Sequence, residues 1–105
     1  MEIRFAQDYL RELFYDGKTK DKKHRFQPQV VRKYVGVLNL MESLERIEDI
    51  YRFKSLNYEA LTGDKKGIES VRVNKQYRIE FRSSVISGEQ TLTICNILEL
   101  SNHYK

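Results

Sequence analysis

"VRVNKQYRIEF", residues 71–81, decides how this chain folds. Val71, Val73, Tyr77, Ile79 and Phe81 alternate with polar residues, the period of strands with one buried face. Two such strands meet here at a tight turn. In an antiparallel pair, directly opposite residues share a face. For the valines to join Tyr77 and Ile79, Val73 must pair with Tyr77 and Val71 with Ile79. That register leaves Asn74, Lys75 and Gln76 as a three-residue loop and sets Arg72 opposite Arg78. A two-residue loop at Asn74–Lys75 would instead move Gln76 and Arg78 beside the valines. Like charges placed opposite each other destabilise a hairpin by some tenths of a kcal/mol. Glu80, beside Arg78, offsets part of this, and solvent screens more. Either the pair is a tolerated feature of a wetted sheet face, or two planar guanidinium forks stand ready for an anion such as phosphate.

Outward from the hairpin, the pattern predicts strands over residues 69–73, 76–83 and 91–98, with "SSVISGEQ" as a loop turning at Gly88. Upstream the period changes. "MEIRF" reads as a short first strand. In "AQDYLRELFYDG", Ala6, Leu10, Leu13 and Phe14 recur at helical spacing, and Gly17 is a stop signal. Pro28 suits the first position of a second helix. Its apolar stripe runs through Val30, Tyr34, Val37, Leu38, Met41, Leu44 and Ile47, about five turns. The other face, with Arg32, Lys33, Asn39, Glu42, Arg46 and Asp49, turns to water. "YRFKSLNYEALTGDKKG" reads as a long connection anchored by Leu56 and Leu61, with turns at Gly63 and Gly67. Helices followed by strands predict an α+β domain, two helices packed on one face of a small antiparallel sheet.

The length of 105 residues supports one domain, residues 1–105, with a single core. Seven Tyr and five Phe within 40% apolar residues can build that core. The lone Cys95, in "LTICNI", reads as a buried packing thiol of a reducing compartment. No apolar run approaches the roughly 20 residues that span a bilayer. "MEIRFAQDYL" lacks the basic start and apolar stretch of a secretion signal, so a cytoplasmic chain with no membrane partner is expected. The formal charge of +4 is unevenly spread. "GKTKDKKHR", residues 17–25, holds Lys18, Lys20, Lys22, Lys23 and Arg25 against Asp21 alone. It reads as an exposed loop, either a contact for nucleic-acid phosphates or a solubilising charge run.

"LNYEALTGDKKGIESVRVNKQYRIEF" resembles the central signature of HigB-type toxins, in the RelE superfamily of bacterial toxin–antitoxin systems. Members read L-x-G-x-x-x-G, then an Arg-Val or Arg-Ile strand, then a strand like Q-Y-R-I ending in an aromatic residue. Here these are Leu61, Gly63 and Gly67, then Arg72–Val73, then Gln76–Tyr77–Arg78–Ile79 with Phe81. "FAQDYLRELFYDG" is similar to the opening of the same family. The resemblance implies helices against a curved antiparallel sheet. It also implies a toxin that cleaves messenger RNA in the ribosomal decoding site, neutralised by an antitoxin, often a HigA-like helix-turn-helix protein.

Such cleavage uses the RNA's own 2′-hydroxyl. It needs a base, an acid for the departing 5′-oxygen and cations for the phosphate, but no metal or other cofactor. In YoeB-like relatives a glutamate lies eight residues before the second glycine, an arginine lies on a following strand, and the chain closes with His-Tyr. Glu59, Gly67, Arg78, His103 and Tyr104 match that arrangement. The resemblance therefore implies Glu59 as base, Arg78 with Arg72 on the scissile phosphate, His103 as acid, and Tyr104 stacking on a base or orienting the phosphate. Lys65 and Lys66, with Lys18, Lys20, Lys22, Lys23 and Arg25, would grip the backbone of ribosomal or messenger RNA. The ending "ELSNHYK" departs from the Asp-Tyr-His of many HigB proteins. ParE-like relatives share the fold but bind DNA gyrase and need no acid–base set. A non-toxic binding module on the same scaffold is the third possibility.

Overall fold

The computed structural model describes residues 1–102; His103, Tyr104 and Lys105 lie outside them. The strands are β1 (Glu2–Phe5), β2 (Glu59–Ala60), β3 (Glu69–Arg72), β4 (Tyr77–Ile86) and β5 (Leu92–Asn102). The helices are α1 (Asp8–Asp16), α2 (Pro28–Ser43) and the single turn α3 (Ile47–Ile50). One five-stranded sheet has the order β1-β5-β4-β3-β2. It is antiparallel except at β1, which runs parallel to β5. The expected wholly antiparallel sheet thus gains a parallel edge, because the two helices after β1 give the chain the long crossover a parallel pair requires.

The hairpin takes the register that the alternation demands. Val71 lies opposite Ile79 and Arg72 opposite Arg78. The Val73 amide donates to the Tyr77 carbonyl at 3.0 Å, closing the three-residue loop. Asn74 explains that length, since its Oδ1 accepts from the amides of Gln76 at 2.8 Å and Tyr77 at 2.7 Å. Val71, Ile79 and Phe81 are completely buried.

α1 begins with Asp8 in its first turn, where a carboxylate opposes the positive helix end. It ends at Gly17, whose φ of 74° lets its amide reach back to the Leu13 carbonyl. The buried stripe is Tyr9, Leu10 and Leu13, while Ala6 precedes the helix and is exposed. α2 starts on Pro28, as the ring's fixed φ favours. It stops at Ser43, short of the expected five turns. Leu44 is extended, and Ile47 opens α3 instead. Two local interactions end the helix. The Ser43 hydroxyl donates to the Leu40 carbonyl at 2.6 Å. The amino group of Met1 bonds the carbonyls of Glu42 and Leu44, placing positive charge at the negative helix end.

The two helices are tied by the Tyr34 hydroxyl, which donates to the Leu10 carbonyl at 2.8 Å inside the core. Tyr34, Leu38 and Met41 of α2 pack with Leu10 and Leu13 of α1 on the sheet face carrying Val71, Ile79, Phe81, Cys95 and Ile97. Each such side chain contributes roughly 1.5–3 kcal/mol when withdrawn from water. Ile97 and Leu100 are three apart, yet both face this core. Simple alternation forbids that. The register shifts between Glu80↔Glu99 and Phe81↔Ile97, so Leu98 is an extra residue in β5. The Gln7 side chain holds the bulge by donating to the Leu98 carbonyl at 2.8 Å. β4 and β5 also run past the expected loop, pairing as far as Ile86↔Leu92. Among the described residues no helix is long and apolar enough to cross a membrane.

Two measurements check this packing. Tyr34→Phe removes a buried hydrogen bond while the Leu10 carbonyl keeps its place in the helix ladder, so unfolding stability should fall by about 0.5–1.5 kcal/mol. The melting temperature should drop by roughly 4–8 °C for each of those kcal/mol. Burial pushes the Cys95 thiol from 9.0 up to about 12. Its folded value lies above the unfolded one, so stability is intact below pH 9.0 and is lost as pH rises toward 12. A thiol reagent at pH 8 should modify Cys95 only after denaturant is added. Cys95→Ala should lack the part of the alkaline stability loss that begins near pH 9.0. It should keep the part above 10.0 that Tyr9, Tyr34 and Tyr58 contribute by their own raised pKa values.

Candidate active site

The hairpin register that sends valines inward sends Ser70, Arg72, Arg78 and Glu80 to the sheet's second face, away from the helices. The residue pairs extend this face across four strands. Glu59 on β2 stands opposite Ser70, Ser70 opposite Glu80, and Glu80 opposite Glu99. The adjacent row reads Arg72, Arg78 and Ser101. Glu59 therefore belongs to an edge strand and not to the polar connection expected from the sequence. Its two residues, Glu59 and Ala60, pair with Ser70 and Glu69.

Arg78 is the buried cation of this face, with only 6% of its surface exposed. Its Nε donates to the Ser70 hydroxyl at 2.9 Å. Its Nη2 donates to the carbonyls of Asn57 and, at 3.4 Å, Ser70. These partners are neutral, and none of its hydrogen bonds among the described residues leaves from Nη1. A guanidinium held this way keeps its full charge without a carboxylate partner, and so keeps its attraction for an anion. Asn57 is in the left-handed region, φ 42°, a conformation that asparagine tolerates better than most side chains. Sequence reasoning left Ser70 and Asn57 out; the signal was the pairing of Ser70 with Glu59, visible once β2 is recognised as a strand.

Arg72 and Arg78 face each other in the backbone, but their side chains separate. Arg72 is exposed and borders a cleft with Arg32 and Lys33 of α2. Lys65, on a 3-10 turn at Gly63–Lys65, donates to Glu80 Oε2 at 2.8 Å, and this ion pair raises the Lys65 pKa. Lys66 is exposed beside it. Glu80 is thus neutralised where it lies opposite Glu99. Arg82, which the sequence pattern did not single out, stands on the same face as Arg78. A Cβ built on Gly67 would lie 2.9 Å from its Nη1. The second glycine of the L-x-G-x-x-x-G element thus has a mechanical reason: φ +91° and an arginine packed against its backbone.

In the basic segment, Lys18, Lys20, Lys22, Lys23 and Arg25 are all exposed, as a loop requires. His24 is not free, however. Its ring stacks on Tyr9 with centroids 3.6 Å apart, and its Nδ1 lies 2.8 Å from Asp21 Oδ2. That bond, with the Lys23 amide, holds the Asp21 carboxyl below its usual range. His103 and Tyr104 lie outside the described residues. β5 ends at Asn102 opposite Tyr77, one residue beyond Ser101 opposite Arg78.

A small sheet with two helices packed on one face is a fold that this chain shares with solved toxins. The YoeB/ParE toxin from Agrobacterium tumefaciens superposes with a TM-score of 0.56 at 19% identity, covering 99% of this chain and 100% of that one. YoeB in its heterotetrameric complex with the antitoxin YefM, from Staphylococcus aureus, gives 0.50 at 19% identity over 99% and 98%. In sequence, residues 3–91 match the family described as the RelE-like toxin of the type II toxin–antitoxin system HigB. Toxin HigB-1 of Vibrio cholerae serotype O1 is 30% identical over 83 residues, 78% of this chain and 83% of that protein. The chain belongs to the HigB family of type II toxin–antitoxin toxins.

Gly67→Ala should show how tightly this face is built. A side chain at φ +91° should cost about 1–2 kcal/mol, since the exposed end of Arg82 can move aside but the backbone angle cannot relax. Thermal unfolding would register it as a clear fall in melting temperature, whereas Lys66→Ala at the exposed neighbour should change it little.

Proposed function

We propose that this toxin is a ribosome-dependent messenger-RNA endonuclease that stops translation by cutting messages through their own 2′-hydroxyl. The reading is carried by one observation: Glu59 stands opposite Ser70, and the hydroxyl of Ser70 takes the Nε of the buried Arg78. A proton acceptor and an anion-binding fork thus share one face, with one small residue between them. Glu59 is exposed, so its carboxylate is free to take the 2′-hydroxyl proton. Nη1 of Arg78 offers a donor to the phosphate oxygens, on which charge builds in the transition state. Arg72 assists from the cleft beside it, Lys66 at the rim, and the basic segment at 18–25 reaches ribosomal or messenger RNA backbone.

The leaving 5′-oxygen needs an acid. His103 is one peptide bond beyond Asn102, and β5 carries the chain to that point alongside Tyr77 and Arg78. We assign His103 the proton donation and Tyr104 the stacking or orienting role, by likeness to the family's closing His-Tyr. No metal or organic cofactor enters this scheme. The antitoxin of the system, a HigA-like helix-turn-helix protein in this reading, would silence the toxin in the cytoplasm, where the ribosomes are.

Mapping the 5′ ends of a reporter message in a translation extract tests the proposal. Cuts should appear with ribosomes present and vanish without them. Glu59→Gln should lower cleavage by roughly 10²–10⁴-fold, the usual worth of a general base, with an unchanged melting temperature because the side chain is exposed. Arg78→Lys keeps the charge but loses the fork, so activity and stability should fall together. Intact messages accompanied by DNA damage would transfer the toxin to the gyrase-binding class.

A further inference from the structure

The segment 51–58 borders β2, and apart from the Asn57 carbonyl that holds Arg78 it has no part in the chemistry above. Tyr51 is 52% exposed and Phe53 38%, two large rings left in water. With Lys54, Asn57 and Tyr58 they line a hollow of about 440 Å³. The hollow is preorganised. The Tyr58 hydroxyl is fixed by donating to Glu69 Oε1 at 2.5 Å, and its ring centroid lies 4.6 Å from that of Tyr51 at 52°. On the other side of the short turn at Lys54–Leu56 lies the cleft of about 290 Å³ bordered by Arg32, Lys33, Ser55 and Arg72.

Charge separates the possible occupants. Among the described residues no carboxylate lines either depression. None of Arg32, Lys33, Lys54 or Arg72 forms an ion pair among the described residues. Four uncompensated cations therefore surround one turn that also presents exposed aromatic faces. A purely acidic segment would answer the cations and leave the rings without a partner. A single-stranded nucleic acid answers both, with phosphates for the cations and unpaired bases for the rings. Asn57, whose carbonyl receives Arg78 Nη2, is two residues from Glu59. A strand seated here would run directly toward that face.

We propose that residues 51–58 form a single-stranded RNA subsite: a base stacks against Tyr51, Phe53 and Tyr58, and Arg32, Lys33, Lys54 and Arg72 hold the flanking phosphates. The identity of the ligand as RNA rests on the ribonuclease reading, and the test separates the two. The probe is a fluorescein-labelled 2′-O-methyl octaribonucleotide, which cannot be cleaved because its 2′-oxygen has no proton to lose. Its binding to the full chain is followed by anisotropy across a salt series.

Tyr51→Ala with Phe53→Ala should weaken binding by at least about fivefold, the loss of a stacked base. Arg32→Ala with Lys33→Ala should weaken it and lower the salt slope by about 0.7 for each phosphate no longer held. Tyr15→Ala, an exposed aromatic on α1, should change nothing, and circular dichroism should show all variants folded. A parent chain that binds the probe but cuts no message removes the nuclease reading and leaves the subsite standing. Parent-like affinity in both double variants would overturn the subsite even if messages are still cut. So would an oligoglutamate of equal length that binds as tightly as the RNA and ignores the aromatic changes, since the surface would then read charge alone.

Discussion

The molecule depends on the three-residue loop at Asn74–Gln76. Asn74 Oδ1 receives two successive amides, which fixes the loop at an odd length. An odd loop keeps Val71 and Val73 on the face of Ile79 and Phe81. A loop one residue shorter would turn every side chain of one strand over, setting Gln76 and Arg78 beside the valines in place of Tyr77 and Ile79. From this single register follow the core beneath α1 and α2 and the polar row on the other face. The like-charge penalty at Arg72 and Arg78 is small beside several buried side chains, each worth roughly 1.5–3 kcal/mol. Hydrophobic burial decides the register, and the arginines accept it.

Once placed there, the two arginines meet different surroundings. Arg78 sits on β4 in the middle of the sheet, with Ser70 of β3 and Asn57 of the turn before β2 against it. The Ser70 hydroxyl and the Asn57 carbonyl satisfy it without neutralising it. Arg72 lies past the end of the short strand β2 and is exposed, bordering a cleft with Ser55, Leu56 and the α2 residues Arg32 and Lys33. A chemically symmetrical pair thus becomes one fixed, buried cation and one exposed, hydrated one. The first suits contact with a reacting phosphate, and the second suits grip along a strand.

Much of this was legible in the residues. Alternation and the turn gave the hairpin, and the Pro28 start and apolar stripe gave α2. Gly17 gave the end of α1, and the L-x-G-x-x-x-G element gave the family. The departures have physical causes. The stripe through Leu44 and Ile47 continues past Ser43, but the Ser43 hydroxyl and the Met1 amino group take the carbonyls that a continuing helix would use. Glu59 looked like loop because a two-residue strand has no period of its own; it is a strand only because β3 lies beside it. Leu98 gave no signal as a bulge, although the three-residue spacing of Ile97 and Leu100 is its trace.

By itself the sequence determined the binary pattern: which residues seek the core, where the chain turns and which family's motif it carries. These depend on near neighbours along the chain, on side-chain volume, backbone preference and period. Tertiary structure alone decided that Ser70 would pin Arg78 and that the parallel β1 would close the sheet. It also set an aromatic hollow and a basic cleft on either side of one short turn. Such juxtapositions join residues tens of positions apart, and no local preference encodes a distance between them. They arise when the sheet register brings separate strands side by side.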